Sequence, residues 1–377
     1  MLDTEELAVQ AAASARTAEE ARRLDPDVVK LLLAAGFARH FAPRAFGGTE
    51  GTFADLTDAV ARTGAACPAT AWCASLAANL GRMAAYLPAE GQRAIWEQGP
   101  DALVAGSLSP FGKAVPAGDG HTLSGRWPYV SAVTYADWLL LCATSSDGEA
   151  PRVFAVPRDA VRVVETWDSA GMRATGSHTV VASEVFVPGP RSFARGDLLT
   201  GSPVSATAAC HRVPLEASNG LSFAAPLLGA VEGALGHWTA YAEVKARAAV
   251  LRPQAPGPSR EALAGVLALA SGQTDAARLL LERCASTADL GADITPERIR
   301  RTLRDTALSV RMLAEAVNRL TANGGTTGFG ESQPLQRHWR DVNASATHIA
   351  LQFDAAALSY AEGRLWTTQT SSPEAAR

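Results

Sequence analysis

The residues whose types and spacing point most directly to chemistry lie between Pro334 and His348, in the run PLQRHWRDVNASATH. On a helix, Arg337 and Asp341 stand four apart and can pair, while Asp341 and His348, seven apart, share a face. An imidazole titrates near neutrality, so His348 can donate or hold a proton at working pH, as a reaction through a protonated oxygen species requires. The plain alternative is a histidine packed in a bundle and satisfied by Ser345 or Gln352. Other chemistries find less support. Cysteines 67, 73, 142, 210 and 284 are odd in number and lack paired CxxC spacing, which suggests neither a zinc site nor a disulfide framework. No strand leads through a GxGxxG turn into a helix, so no nicotinamide site is expected, and Gly324-Gly325-Thr326-Thr327-Gly328 follows a helix that it can simply terminate.

The elements that must position these residues change character along the chain. With 377 residues, 47% hydrophobic and 19% charged, the composition is that of a globular protein with room for two or three domains. A formal charge of -4 favours neither nucleic acid nor an anionic membrane. The charged N-terminus has no apolar signal core and no apolar run is long enough to span a bilayer, so a cytoplasmic location is expected.

Residues 1–105 are expected to form an N-terminal helical domain. Asp25 and Pro26 open a helix that Gly36 can close in the left-handed conformation, and Thr52 with Asp55 caps another that stops at Gly64. An Ala-rich helix follows from Pro68 to about Tyr86. Residues 106–218 change to short Val-, Leu- and aromatic-rich runs: 122–130, 138–143, 153–156, 161–167 and 179–187. Turn clusters at 117–120 and 145–148 separate them, which predicts a small antiparallel sheet or barrel followed by a long connector from 189. Residues 219–377 hold four long helical segments, near 221–250, 260–290, 296–322 and 334–365, with a polar tail from 367; these predict a four-helix bundle.

This α+β order of helices, sheet and four-helix bundle resembles the acyl-CoA dehydrogenase fold over nearly the whole length. Ala42-Pro43-Arg44-Ala45-Phe46-Gly47-Gly48 resembles its N-terminal Pro-x-x-Tyr-Gly-Gly turn, and Gly171-Met172-Arg173-Ala174-Thr175-Gly176-Ser177 its sheet motif. Gly324-Gly325 followed by Pro334, Arg337, Arg340 and Asp341 resembles its C-terminal signature. The chain departs from the dehydrogenases where it matters chemically. Their glutamate base falls at Ile349, next to His348, and the second slot used by some members falls near Asn219, so no carboxylate stands ready to remove an α-proton. That departure resembles the two-component flavin-dependent monooxygenases of the same fold. The runs 124–133 (SGRWPYVSAV) and 166–177 (TWDSAGMRATGS), with Leu228-Gly229-Ala230 and Gly236-His237-Trp238, are especially similar to the aromatic polyketide hydroxylases of the actinorhodin-pathway kind.

The resemblance implies a reduced flavin, FMN in preference to FAD, that captures O2 as a C4a-hydroperoxide and hydroxylates an aromatic or quinone polyketide. It also implies a separate NAD(P)H:flavin reductase and a homotetramer. His348 would face the flavin, and Ser131 would bond its N5. Trp127, Tyr129, Trp167, Arg173, Thr175, Ser177 and Ser107 would surround the cofactor, and Lys245 would reach its phosphate across a subunit contact. Simple-phenol hydroxylases in the group place a histidine on the third helix, which residues 76–83 lack; Trp72, Asn79, Arg82 and His178 are therefore the candidates for the substrate pocket. Each has a plain alternative: core tryptophan, turn hydroxyl, solvated lysine or packing residue. N-oxygenation of an amine or amino sugar, a diverged acyl-CoA dehydrogenase, and an assembly protein without catalysis are the rival readings.

Overall fold

The computed structural model describes residues 2–146, 148–251 and 257–366. Asp147 of the expected 145–148 turn and the polar tail from 367 lie outside the described residues. Five helices come first: α1 (Glu5–Ala21), α2 (Pro26–Ala34), α3 (Phe53–Ala66), α4 (Pro68–Ala84) and α5 (Ala89–Trp96). Their ends follow local chemistry. The Asp25 carboxylate accepts from Asp27 N before α2, and the Thr52 hydroxyl accepts from Asp55 N before α3. Gly36 sits at φ +91 after α2, in the left-handed region where a side chain would be strained.

Seven strands follow: β1 (Val104–Ala117), β2 (Gly120–Val130), β3 (Trp138–Ser145), β4 (Arg152–Pro157), β5 (Arg162–Val164), β6 (His178–Pro188) and β7 (Ser192–Ala194). They make one sheet in the order β5-β6-β2-β1-β3-β4-β7. The expectation of a purely antiparallel sheet is corrected here, because β1 and β3 pair in parallel. β1 also lies ahead of the first expected run. Its Gly, Ser and Pro residues hide the alternation that marks a strand, and the register shifts between Ser107 and Gly112.

After the short α6 (Arg195–Thr200), the C-terminal part holds α7 (Leu215–Leu251), α8 (Arg260–Ala288), α9 (Pro296–Ala322), the single turn α10 (Gly325–Gly328), α11 (Pro334–Ala346) and α12 (Phe353–Leu365). The fourth expected helix is thus two helices. Helical geometry ends at Thr347, and His348 adopts φ -59, ψ 136 with its ring accepting from Ala350 N, so the chain restarts in a short 3-10 turn, Ile349–Leu351. A histidine side chain that caps a new turn competes with continuation of the old helix.

The helical parts meet through small residues. At Gly229 of α7 an added Cβ would fall 2.0 Å from Ala61 O of α3, so backbone touches backbone at the α3–α7 seam. Gly229→Ala is expected to destabilise the fold by about 1–3 kcal/mol, as overpacking does, visible as a lower melting temperature. An unchanged melting temperature would show that the seam can yield.

Candidate active site

Three elements bring the predicted residues to one place. The Trp72 indole on α4 donates to Ser131 Oγ at 3.2 Å. Ser131 is 2.8 Å from Ser177 Oγ, and Ser177 is 2.7 Å from Thr175 Oγ1. Thr175 in turn donates to Met172 O at 2.9 Å. An indole N–H can only donate and a carbonyl can only accept, so the two ends fix the direction of the whole chain. Ser131 accepts from Trp72 and donates to Ser177, and Ser177 donates to Thr175. Ser131 therefore has a lone pair left to offer and no hydrogen.

On its other side Trp72 meets His348 edge-on, with ring centroids 5.9 Å apart. His348 stacks on Phe223 of α7 at 3.9 Å, and Phe223 also touches Trp72 at 5.1 Å. His348 Nδ1 accepts the Ala350 N–H at 3.2 Å, so the neutral ring carries its hydrogen on Nε2, which has no hydrogen-bond partner among the described residues. Burial pushes the His348 pKa down to about 4. The imidazole is thus a neutral N–H donor at working pH, a sharper state than the near-neutral titration expected of it. Because the unfolded chain protonates first as pH falls below about 6.5, this burial costs folding stability as pH drops towards 4. An NMR titration of the His348 ring is expected to show no protonation above pH 5; a midpoint near 6.5 would overturn the assignment.

The stripe read from Asp341 to His348 is corrected by the helix break. Asp341 does not pair with Arg337 among the described residues. Its buried carboxylate accepts the Met172 N–H instead, while Arg340 donates to Ala170 O at 2.6 Å. The loop from Trp167 to Met172 is held from the other side as well. Arg22, just after α1, donates to Trp167 O and pairs with Asp168, and the Trp167 indole donates to Met172 O at 3.0 Å.

The remaining candidates divide. Tyr129 stands exposed at φ +61, edge-on to Trp167 at 6.3 Å, so both rings border the cluster. Arg173 has a buried Nε without a partner. Ser107 lies on β1 opposite Leu141 of β3 and is not bonded into the hydroxyl chain.

Five further candidates are engaged elsewhere in this chain. Trp127 is fully buried inside the sheet, donates to Cys142 O at 2.7 Å, and packs where a Cβ on Gly112 would strike its ring, so it is a core residue. His178 Nδ1 accepts from Thr166 N and Trp167 N, which makes it a brace for the Trp167 loop and not a free pocket wall. Asn79 is buried, bonded to Ser75 O, and faces a cavity of about 10 Å³ between α3, α4 and α7, room for about one water. Arg82 is fully buried over Phe53 and bonded to Val213 O and Ser218. Lys245 lies 22 residues beyond Phe223 on α7, about 33 Å along the axis, with its Nζ over Tyr241. Tyr241 lines a separate cavity of about 360 Å³ with His237, Gly324 and Gln333, so Lys245 does not reach the Ser131 cluster of its own chain. Sequence reasoning missed Phe223 and Met172, which differ from ordinary core residues only by what the fold sets beside them.

Comparison with known proteins decides the relationship. Residues 221–353 match the acyl-CoA dehydrogenase C-terminal domain family. Over 363 residues the chain is 32% identical to the FADH(2)-dependent resorcinol hydroxylase, oxygenase component, of a Rhizobium species, covering 91% of this chain and 88% of that protein. The chain belongs to the flavin-dependent monooxygenases built on the acyl-CoA dehydrogenase fold. Solved structures agree: 3-HSA hydroxylase from Rhodococcus sp. RHA1 superposes with a TM-score of 0.90 at 26% identity, covering 95% of this chain and 94% of that one. XiaF from Streptomyces sp., solved with FADH2 and glycerol, superposes at 0.87 with 26% identity, covering 95% and 93%. Like these relatives, this monooxygenase is a reduced-flavin hydroxylase of the oxygenase-component kind. None of its described helices is long and apolar enough to cross a membrane.

Proposed function

We propose that this monooxygenase takes reduced flavin and O2 and inserts one oxygen atom into a fused-ring aromatic or quinone-type polyketide. A separate NAD(P)H:flavin reductase would supply the flavin, FMN or FAD. The observation that carries the reading is the opposed polarity at Trp72: an acceptor-only Ser131 on one side and a donor-only His348 on the other. Reduced flavin carries an N–H at N5 and, when bound, supplies the electrons and the carbon that activate O2. The residues fit it. Ser131 offers that N–H a lone pair, Tyr129 and Trp167 offer ring edges, and the unpartnered Arg173 Nε can meet a polar edge. His348 Nε2–H holds a proton towards oxygen without losing it, since the ring is neutral and has no second hydrogen to give. Trp72 and Phe223 cover part of the half-buried imidazole.

The preference for a fused-ring substrate over a simple phenol rests on α4. It carries Leu76, Leu80 and Met83, packed with Leu108, and no imidazole to hold a phenolate. A homotetramer is supported by the exposed Leu269 and Leu279 of α8 and Leu358 of α12. Lys245 would then meet a neighbour's cofactor, and a reducing cytoplasm suits five free, buried cysteines. Incubation with photoreduced FMN or FAD, 18O2 and a panel of resorcinol, naphthols, anthrones and aryl amines, read by mass spectrometry, tests the proposal. One 18O atom in an anthrone or naphthol product is expected. Oxidation confined to resorcinol or to amines would replace the substrate class, and no 18O in any product would end the reading.

A further inference from the structure

We propose that Asp341 is a positioning residue: from outside the flavin pocket its carboxylate holds Met172 so that the hydroxyl chain ending at Ser131 keeps its direction. The proposal rests on the oxygenase reading above. Met172 has φ +54, a backbone conformation that an L residue with a side chain keeps only when its surroundings hold it. Asp341 supplies that restraint by accepting the Met172 N–H, and Arg340 adds a second tie two residues back at Ala170 O. The contact is close packed, since a Cβ on Gly171 would fall 2.2 Å from Arg340 O.

Met172 O is the terminal acceptor for both the Trp167 indole and the Thr175 hydroxyl. If Met172 turned, Thr175 would lose the acceptor that orients it, Ser177 and Ser131 could reverse, and Ser131 would present a hydrogen where a lone pair is required. The helix that precedes His348 thus also sets the opposite wall of the site.

Burial raises the Asp341 pKa to about 7, against the pull of the Met172 N–H and of Arg340, and with Glu19 of α1 adding to the rise. The charged and titratable groups facing it are Arg337 and Arg340 from its own helix, Glu19 from α1 and the Cys67 thiol at the start of α4. As pH falls through 7 the carboxylate takes up a proton and becomes a weaker acceptor.

Two readouts test this, the first on the protein alone. The chain has four methionines, so 15N-methionine labelling resolves the Met172 amide. Its shift is expected to titrate with a midpoint near 7 in the wild type and to stay flat in Asp341→Asn. The second readout is product formed per flavin oxidised between pH 6 and 8.5. The wild type is expected to lose about threefold on going from pH 8 to 6, and Asp341→Asn to sit at the low value throughout. Gly171→Ala, which forces the loop from α11 without touching the carboxylate, is expected to lower coupling at every pH. A Met172 amide that ignores pH, or an Asp341→Asn variant with the wild-type coupling profile, overturns the proposal. A titrating amide in a wild type that makes no product would instead sink the oxygenase reading and leave the positioning role intact.

Discussion

His348→Ala is expected to cut product formation by about 10²-fold while flavin oxidation continues, the loss typical of removing a positioned hydrogen-bond donor. The ring has no other task large enough to confuse the result. It stacks on Phe223 and touches Trp72, and its Nδ1 caps only the short turn that starts at Ile349. His348→Gln, which keeps an N–H donor of similar reach, is expected to recover part of the coupling. Hydrogen peroxide release and hydroxylated product, measured together under single turnover, separate the two fates of oxygen. If the alanine variant couples as well as the wild type, the donor assigned to Nε2 is not used.

Ser131→Ala is expected to shorten the lifetime of oxygenated flavin by about 10- to 100-fold, the range expected when one hydrogen bond of about 1.4–3 kcal/mol is lost. The reason is directional. Trp72 donates into Ser131 and Ser131 donates onwards to Ser177, so on the proposed reading the remaining lone pair would accept a flavin N–H and oppose loss of that proton. Alanine would also leave the Trp72 indole N–H without its acceptor. Trp72→Phe isolates that second effect, since it removes the donor and keeps an aromatic ring. Rapid-mixing absorbance of the oxygenated flavin reads the lifetime directly, and a lifetime unchanged in Ser131→Ala would remove the serine from the mechanism.

Much of this was legible in the sequence where local chemistry decides. Asp25, Thr52 and Gly36 punctuate their helices as read, because caps and left-handed glycines act within a few residues. His348 and Ser131 were singled out because their positions resemble those of a family. What failed was whatever depends on distant neighbours. Trp127 and Trp167 lie in similar motif runs, yet only the pairing of β2 with β1 and β6 tells that one indole is sealed inside. Arg82 and Asn79 share a helix with Trp72, but Arg82 is sealed over Phe53 and bonded to Ser218 of α7, and Asn79 sits beside a cavity with room for about one water. Asp341 looked like a partner for Arg337 because helical spacing was the only available geometry. The loop that takes its carboxylate is 169 residues away. His348 itself was read as part of the last helix and instead caps a new turn, since nothing in periodicity marks where a helix yields to a side-chain cap.

That interruption has an evolutionary consequence. In a continuous helix every inserted residue rotates all that follows by about 100°, so a histidine on it would be hostage to the length of the whole segment. Here the imidazole sits at a junction whose direction is set by its own bond to Ala350 N. The segment from Phe353 to Leu365 can gain, lose or exchange residues to suit a neighbouring surface while the imidazole keeps its aim. An insertion within Pro334–Ala346 would instead swing it out of register with Phe223.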